Sequence, residues 1–559
     1  MVDYAALYQP GVPRNIELPT DTLVDMCERA IAESSSCVAL DFFGRTTTYA
    51  QLGDQISSVA EGLRKLGVGA GDRVAIILPN SPQHVVAYYA ILRLGAIVVE
   101  HNPLYTSREI RHLFENHTAR VAIAWDSVVD KLRSLPKDVS LEHIISVNLL
   151  REFPLAKRMA LKLPVPSLKA TRAKLTTKVR GEKTWKDLLK NKGLKQSHPR
   201  PKTSDIAAIQ YTSGTTGLPK GAILTHLNLH SNASQGKVWM PETKLGHEVF
   251  YAFLPFFHAF GTTTLLIYGI LQQARIHLFP TFDVSLVLAA AKKDPPTVII
   301  GVPPIFDALT ATAKKRKVSL KSAKFCLSGA MSLPVSTLEA WEEIAGGYLV
   351  EGYGMTEASP VCMGNPFYHT RRPGTIGLPF PSTDIKIVDA DDPSIEVAQG
   401  ERGELLVRGP QVFSGYWNNP EETALVLLEG GWLATGDIVV QDEDGFVAVV
   451  DRKKELIITS GFNVSPTEVE LVLQSYPGIT DAAVVGLPHP HAGEEVVAGL
   501  VMEPGEHVDL EALRTFCKTR LAAYKVPRRV FELEELPKSL LGKVLRSDVR
   551  KELSPHAKG

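Results

Sequence analysis

Short apolar runs alternating with helical periodicity constrain this chain more than any other feature. Arg73-Val-Ala-Ile-Ile-Leu-Pro79 reads as a buried strand, Ser81 to Leu94 as a helix, and Gly95-Ala-Ile-Val-Val99 as a second strand. Ser107 then opens a helix that leads to Val121-Ala-Ile-Ala124. Runs apolar at every residue belong to strands covered on both faces, and strands joined through helices lie parallel. The pattern predicts an α/β fold. It returns at Thr297-Val-Ile-Ile-Gly-Val-Pro-Pro304, ahead of a helix at 305–314, and at Lys324-Phe-Cys-Leu-Ser-Gly-Ala-Met331. Residues 38–56 read as a hairpin running into a helix, with Thr48 as N-cap. At 559 residues the chain is too long for one core and divides into at least two domains.

The stretch richest in chemistry is Tyr211-Thr-Ser-Gly-Thr-Thr-Gly-Leu-Pro-Lys-Gly221, between a strand at Asp205–Gln210 and an apolar run at Ala222–His226. Its glycines let backbone N–H groups turn toward an anion, while Thr212, Ser213, Thr215, Thr216 and Lys220 complete a cage around Gly214 and Gly217. That composition suits a polyphosphate. It is not a Walker A loop, because Pro219 precedes the lysine and Gly221 follows it.

This string resembles the nucleotide-phosphate loop of the adenylate-forming superfamily, which includes acyl-CoA synthetases, firefly-type luciferases and peptide-synthetase adenylation domains. The resemblance implies ATP as the polyphosphate and extends along nearly the whole chain. Phe250-Tyr-Ala-Phe-Leu-Pro-Phe-Phe-His258-Ala-Phe-Gly261 matches the family context in which a histidine lies between nucleotide and acyl pocket, giving His258 an orienting role. In Val350-Glu-Gly-Tyr-Gly-Met-Thr-Glu-Ala358, two glycines around an aromatic suggest a tight turn presenting Tyr353 to a base. A carboxylate beside phosphates makes sense only with a metal between them. The resemblance implies adenine on Tyr353, phosphate on Thr356, and Mg²⁺ on Glu357 with Thr212. It also places Gly329, Ala330, Glu351 and Gly352 in the nucleotide site.

From Gly374 to Val450 the texture changes to short β-rich runs separated by Gly, Pro and Asp turns, read as a small β-barrel-like subdomain. Trp432-Leu-Ala-Thr-Gly-Asp437 puts an acid at a loop, and the resemblance gives Asp437 the ribose hydroxyls with Arg452 in support. Val450-Asp-Arg-Lys-Lys-Glu455 packs charge like a solvated linker; the resemblance makes Lys454 a hinge. The expected division is an N-terminal domain over 1–450, a hinge at 451–454 and a small mobile α+β lid over 455–559. In that lid Ser465 caps a helix that starts at Pro466, Ile479–Val485 and Val496–Met502 are strands, and Leu510–Tyr524 is a helix. Leu536-Pro-Lys-Ser-Leu-Leu-Gly-Lys543-Val-Leu-Arg546 resembles the family's catalytic-lysine motif, which makes Lys543 the charge that meets the α-phosphate. Ser460-Gly461-Phe-Asn463 is implied in the path of a pantetheine thiol. Gly430, Ala434 and Ile458 depart from residues common in relatives, and Ile458 implies weaker ATP binding.

Lys+Arg and Asp+Glu both number 61, so net charge selects no nucleic-acid partner, and none is expected. Cys27, Cys37, Cys326, Cys362 and Cys517 are scattered without zinc-type spacing, which fits a reducing, cytoplasmic setting. No secretory signal is expected from the first residues. The uncharged run from Val249 to Ala274 is long enough to span a bilayer, but its prolines, glycine and threonines favour a buried element. Residues 151–202 form a basic insertion with interspersed leucines; either a solvated insertion or peripheral contact with an anionic membrane fits. A dimer is compatible with the sequence. The expected activity is ATP-dependent activation of a medium- to long-chain fatty acid through acyl-AMP and transfer to coenzyme A. The alternatives are a coumarate-type aryl-CoA ligase, a fatty acyl-AMP ligase serving a carrier protein, and a non-catalytic lipid- or nucleotide-binding relative.

Overall fold

The computed structural model describes residues 3–212, 219–459, 462–489, 493–539 and 542–555. The chain forms two compact units, one of Asp3–Asp384 with Arg408–Leu433, the other of Ile385–Val407 with Ala434–Gly559. Residues 385–407 and 434–450 thus group with the C-terminal part of the chain.

The first unit holds two large sheets. One has seven strands, in the order Lys183–Thr184, His143–Val147, Val121–Trp125, Arg73–Ile77, Ile97–Glu100, Ile206–Thr212 and Lys220–Thr225. All neighbours are parallel except the last pair, an antiparallel hairpin. The other has nine strands, with a parallel centre running from Val38–Phe42 through Arg275–Leu278, Val249–Ala252, Val298–Gly301 and Phe325–Ser328 to Leu349–Gly354. The alternation in the sequence is realised directly: Ile97–Glu100, Val298–Gly301 and Phe325–Ser328 are buried at every residue. The helix Pro82–Arg93 is buried throughout, capped by Ser81 and started by Pro82. Thr48 closes a capping box on the helix Tyr49–Arg64, accepting from the Gln51 N–H while the Gln51 side chain accepts from its own.

The uncharged stretch after Val249 is interior. It runs from strand into a helical segment from Ala259 to Leu271 whose middle, Thr262–Ile267, is π-helical. Among the described residues no helix is long and apolar enough to cross a membrane. In the basic insertion, Pro164 and Pro166 separate two short helices, Leu155–Ala160 and Pro166–Leu175.

In the second unit, a five-stranded sheet of Phe462–Val464, Ile457–Thr459, Gly493–Met502, Ile479–His489 and Arg529–Glu532 carries the helices Pro466–Gln474, Leu510–Lys518 and Arg546–Leu553. Two expectations change here. The helix from Leu510 ends at Lys518 rather than Tyr524, with Thr519 as its C-cap and a separate short 3-10 turn at Ala523–Lys525. Asp451, expected in a solvated linker, is 3% exposed. Its carboxylate accepts from Ser465 Oγ at 2.5 Å and from the Thr467 N–H at 3.0 Å, at the start of the helix Pro466–Gln474, and Arg546 approaches to 3.6 Å. An anion there meets the positive end of the helix. Asp451→Ala leaves Arg546 and two donors short of a partner and is expected to destabilise the protein by about 3 kcal/mol in chemical denaturation. Asp451→Asn is expected to recover part of that.

Candidate active site

The hairpin of Ile206–Thr212 and Lys220–Thr225 brings Thr212 opposite Lys220 at its mouth. Ser213, Gly214, Thr215, Thr216 and Gly217 lie outside the described residues. Gly221 is required by packing, since a Cβ there would sit 2.7 Å from Ile209 Cγ2 and 3.3 Å from the Tyr211 ring. The outer hairpin strand is stitched to residues 414–417: the Ile223 N–H donates to Gly415 O at 2.9 Å, the Ser414 N–H to Ile223 O at 3.2 Å, and the Trp417 N–H to Gly221 O at 2.7 Å. This segment brings two residues that sequence reasoning missed. Glu422 forms a short ion pair with Lys220, and Lys220 Nζ stands 5.4 Å from the centre of the Tyr416 ring.

The turn Thr356–Ala358 packs against the same hairpin strand. Glu357 is buried; its carbonyl accepts from the Phe413 N–H at 2.8 Å and its Oε1 from the Tyr416 hydroxyl at 2.6 Å. Burial and the adjacent Glu357 charge push the Tyr416 hydroxyl far above the usual phenol range, so it stays a donor. Thr356 lies beside Glu357, half-buried.

Tyr353 is not on a tight turn. Leu349–Gly354 is a strand pairing antiparallel with Val361–Gly364, with Tyr353 opposite Met363 and half-buried. The turn lies beyond it. The glycines serve close approach: a Cβ on Gly354 would fall 1.9 Å from Pro360 O, and one on Gly352 2.9 Å from Leu327 Cδ2. Glu351 is buried, with Oε1 accepting from the Gly374 N–H at 2.8 Å and Oε2 from Asn365 Nδ2 at 2.9 Å. Desolvation raises its pKa. Its main-chain carbonyl is engaged as well, accepting from the Asn365 N–H at 2.8 Å. At the carboxyl end of Phe325–Ser328, a Cβ on Gly329 would meet the Phe260 ring at 2.8 Å, while Ala330 is exposed with φ +64°.

His258 caps the helical segment after it. Its Nδ1 accepts from the Phe260 N–H at 3.3 Å, which places the proton on Nε2 as a donor. The side chain keeps solvent-accessible surface, while desolvation by the surrounding protein lowers its pKa to about 4 and leaves the imidazole neutral near pH 7.

The second unit gathers the remaining residues. Asp437, expected at a loop, lies within the strand Trp432–Gln441, opposite Arg452 of Val447–Arg452. It keeps an irregular position, with Gly436 at φ +72° before it and a register shift after Ile438. Its buried carboxylate pairs with Arg452 Nε at 3.2 Å. Lys543 is half-buried, and its main chain exchanges hydrogen bonds with Ser539. Desolvation and the Arg452 charge lower its pKa, while Glu455 and Asp437 oppose that shift. Lys543, Arg452 and Asp437 therefore form one electrostatic group. Lys454 is exposed on the turn Lys453–Glu455, and Gly461 lies outside the described residues. Gly430 and Gly431 both have positive φ, +75° and +77°, a backbone conformation that favours glycine.

Among the described residues no cluster of three or more His, Cys, Asp or Glu could hold a metal. A single carboxylate, that of Glu357, is what a Mg²⁺ shared with nucleotide phosphates and water requires, so the residues fit that ion.

In the first unit a hairpin with Thr212 opposite Lys220 thus lies beside a buried acid, Glu357. The AMP-binding enzyme family matches residues 27–417 and its C-terminal domain matches 468–543; the chain belongs to this family. It is 37% identical over 552 residues to a long-chain-fatty-acid–CoA ligase of Bacillus subtilis, covering 97% of this chain and 96% of that one. Identity is 32% over 529 residues to 4-coumarate–CoA ligase 4 of Arabidopsis thaliana, covering 93% and 88%. Among solved structures, ATP-bound MatB from Rhodopseudomonas palustris superposes with a TM-score of 0.81 at 27% identity, covering 95% of this chain and 99% of that one. An anthranilate CoA ligase, AuaEII, in complex with anthranoyl-AMP gives 0.82 at 27%, covering 97% and 99%.

Tyr416→Phe removes one hydrogen bond to a charged group, worth about 1.5–3 kcal/mol. The expected result is a fall of about tenfold or more in kcat/KM for Mg·ATP, larger than any change in kcat/KM for the acyl and thiol substrates. Equal losses toward every substrate with a lowered melting temperature would mean that Tyr416 only holds the fold.

Proposed function

We propose that this enzyme activates a medium- to long-chain fatty acid with ATP and transfers the acyl group to coenzyme A, releasing AMP and pyrophosphate. One observation carries the substrate class. A narrow apolar cavity of about 30 Å³ lies among Gly236, Trp239, Thr264, Ile300, Leu327 and Phe380. Thr264 is on the helical segment that follows His258, and Leu327 is on the strand that leads to Gly329. Gly236 sits inside the helix His226–Trp239, where glycine is costly, yet nothing lies within 4 Å of where its Cβ would be. Neither backbone nor packing demands a glycine there, so the missing side chain is space for an alkyl chain. Trp239 forms a rigid wall, stacked on Phe380 at 4.6 Å and donating to Asn365 O at 3.2 Å.

In this reading a carboxylate oxygen attacks the α-phosphorus and pyrophosphate leaves. Thr212, Ser213, Gly214, Thr215, Thr216, Gly217 and Lys220 hold the phosphates, and Thr356 adds a hydroxyl. Glu357 with Thr212 would hold Mg²⁺, which neutralises phosphate charge when bound. Tyr353, with main chain from Gly329 to Ala330 and Glu351 to Gly352, receives adenine, and Asp437 with Arg452 receives ribose. The Nε2–H of His258 orients the acyl carboxylate. The Lys543 ammonium stabilises charge gathering at the α-phosphate, a contribution of about 10²–10³ in rate. The coenzyme A thiol then attacks the acyl carbonyl and AMP leaves. The hinge at 451–454, turning on Lys454, withdraws Lys543 and brings Gly461 to the thiol path, dividing a domain over 1–450 from a lid over 455–559. The location is cytoplasmic, peripheral on an anionic membrane face, and a dimer is compatible.

One observation favours an aryl acid as the second reading. Thr263 Oγ1, on the cavity wall and buried, has no hydrogen-bond partner among the described residues, as a phenol-bearing substrate would supply.

Carboxylate-dependent AMP formation, with and without coenzyme A, over acids from acetate through palmitate to 4-coumarate tests the reading. Coenzyme A-dependent turnover peaking at an alkyl acid supports it; a peak at coumarate installs the aryl reading, and acyl-AMP accumulating regardless of coenzyme A the carrier-protein ligase. Gly236→Leu is expected to cut kcat/KM for the longest acids about tenfold or more while leaving the shortest unchanged. Because Lys543 acts as a cation with a lowered pKa, acyl-AMP formation is expected to fall with rising pH before the ordinary lysine value of 10.5. Lys543→Arg is expected to push that fall upward, and Lys543→Ala to slow adenylation about 10²–10³-fold while sparing thiolysis of supplied acyl-AMP. Retained adenylation in Lys543→Ala would remove Lys543 from the mechanism.

A further inference from the structure

The basic insertion presents a face that no part of the site uses. From Phe153 to Gly181 the chain has eight lysines and arginines and no acid. Its inner side is anchored. Phe153 and Leu161 are buried, Phe153 stacks on Phe43 at 4.5 Å, and Lys157 Nζ donates to Phe43 O at 2.8 Å. The outer side is apolar. Leu155 is 64% exposed, Met159 54%, Leu163 54% and Val165 44%. Leu155 and Met159 are one helical turn apart on the helix Leu155–Ala160, and Leu163 and Val165 follow around Pro164. Exposed Lys162 and Lys169 lie in sequence among and just after them. Scattered exposed leucines are ordinary, but four large apolar side chains within eleven residues of an all-cationic stretch are not.

We infer that the apolar residues Leu155, Met159, Leu163 and Val165, with the cations around them, dock this protein on the surface of an anionic lipid bilayer. The chemistry matches on both counts. The apolar side chains enter the boundary between headgroups and acyl chains, and the lysines and arginines remain among lipid phosphates, each worth about fivefold in partitioning. A second protein copy would meet the same positive charge and be repelled. The inference rests on the peripheral location proposed above, and it names the surface responsible.

The test is co-sedimentation of the full-length protein with vesicles of equal parts phosphatidylcholine and phosphatidylglycerol, against vesicles of phosphatidylcholine alone. The wild type is expected on the anionic vesicles, with binding that weakens as salt rises. The triple variant Leu155→Ser, Met159→Ser, Leu163→Ser and the double variant Lys162→Glu, Lys169→Glu are each expected to lose about tenfold or more in binding. AMP formation with butyrate is expected to be unchanged in both, showing that they fold. A wild type that ignores both vesicle types removes the peripheral location itself. A wild type that binds while both variants bind equally well overturns this surface alone. So does a triple variant whose only change is a lower mass in light scattering, which assigns the face to a second copy.

Discussion

The first unit's site depends on one buried contact, the Tyr416 hydroxyl on the Glu357 carboxylate. Tyr416 belongs to the segment that is stitched by main-chain hydrogen bonds to the outer strand of the phosphate hairpin, and Glu357 to the turn packed against that strand. An acid beside a polyphosphate is repelled unless it is held and shared with a cation. Here it is held by a phenol that cannot ionise in the working range. The lysine at the hairpin mouth is restrained in the same way, by Glu422 from the same segment. Both of the first unit's charges that face the nucleotide in the proposed reading, Lys220 and Glu357, are positioned by residues 413–423.

Much of the architecture is legible from local sequence. All-apolar runs gave parallel strands, Ser81 and Thr48 capped the helices they precede, and prolines bounded the helices of the basic insertion. These features depend on residues close together along the chain. What the sequence concealed depends on partners far apart. Tyr416 lies 59 residues from Glu357 and Glu422 lies 202 from Lys220, and neither carries a local signal. Asp437 looked like a loop acid because Thr-Gly-Asp is turn chemistry; tertiary pairing with Val447–Arg452 made it a strand residue, with the glycine's positive φ absorbed at an irregular register. Gly352 and Gly354 suggested a turn, but the strand partner and Pro360 approach too closely for a side chain. The charged string at 451–455 misled in the opposite sense, because the burial of its first acid is set by a helix that starts fifteen residues later.

Desolvation by the surrounding protein lowers the His258 pKa to about 4. In the proposed reading this suits a group between acyl chain and nucleotide, where an imidazolium would form a lasting pair with the carboxylate substrate. A neutral Nε2–H can direct the carboxylate without holding it.

Asp451 gives the proposed hinge a mechanical character. It precedes Lys454 in the chain, yet its carboxylate is bound to Ser465 and Thr467, which follow it. In the proposed cycle a rotation about Lys454 would strain or break that clasp and its reversal would remake it. The buried acid would then act as a detent, a catch that defines one angular position and releases under load. Tightening it would raise the protein's resistance to unfolding while slowing that cycle, setting stability against turnover at this residue.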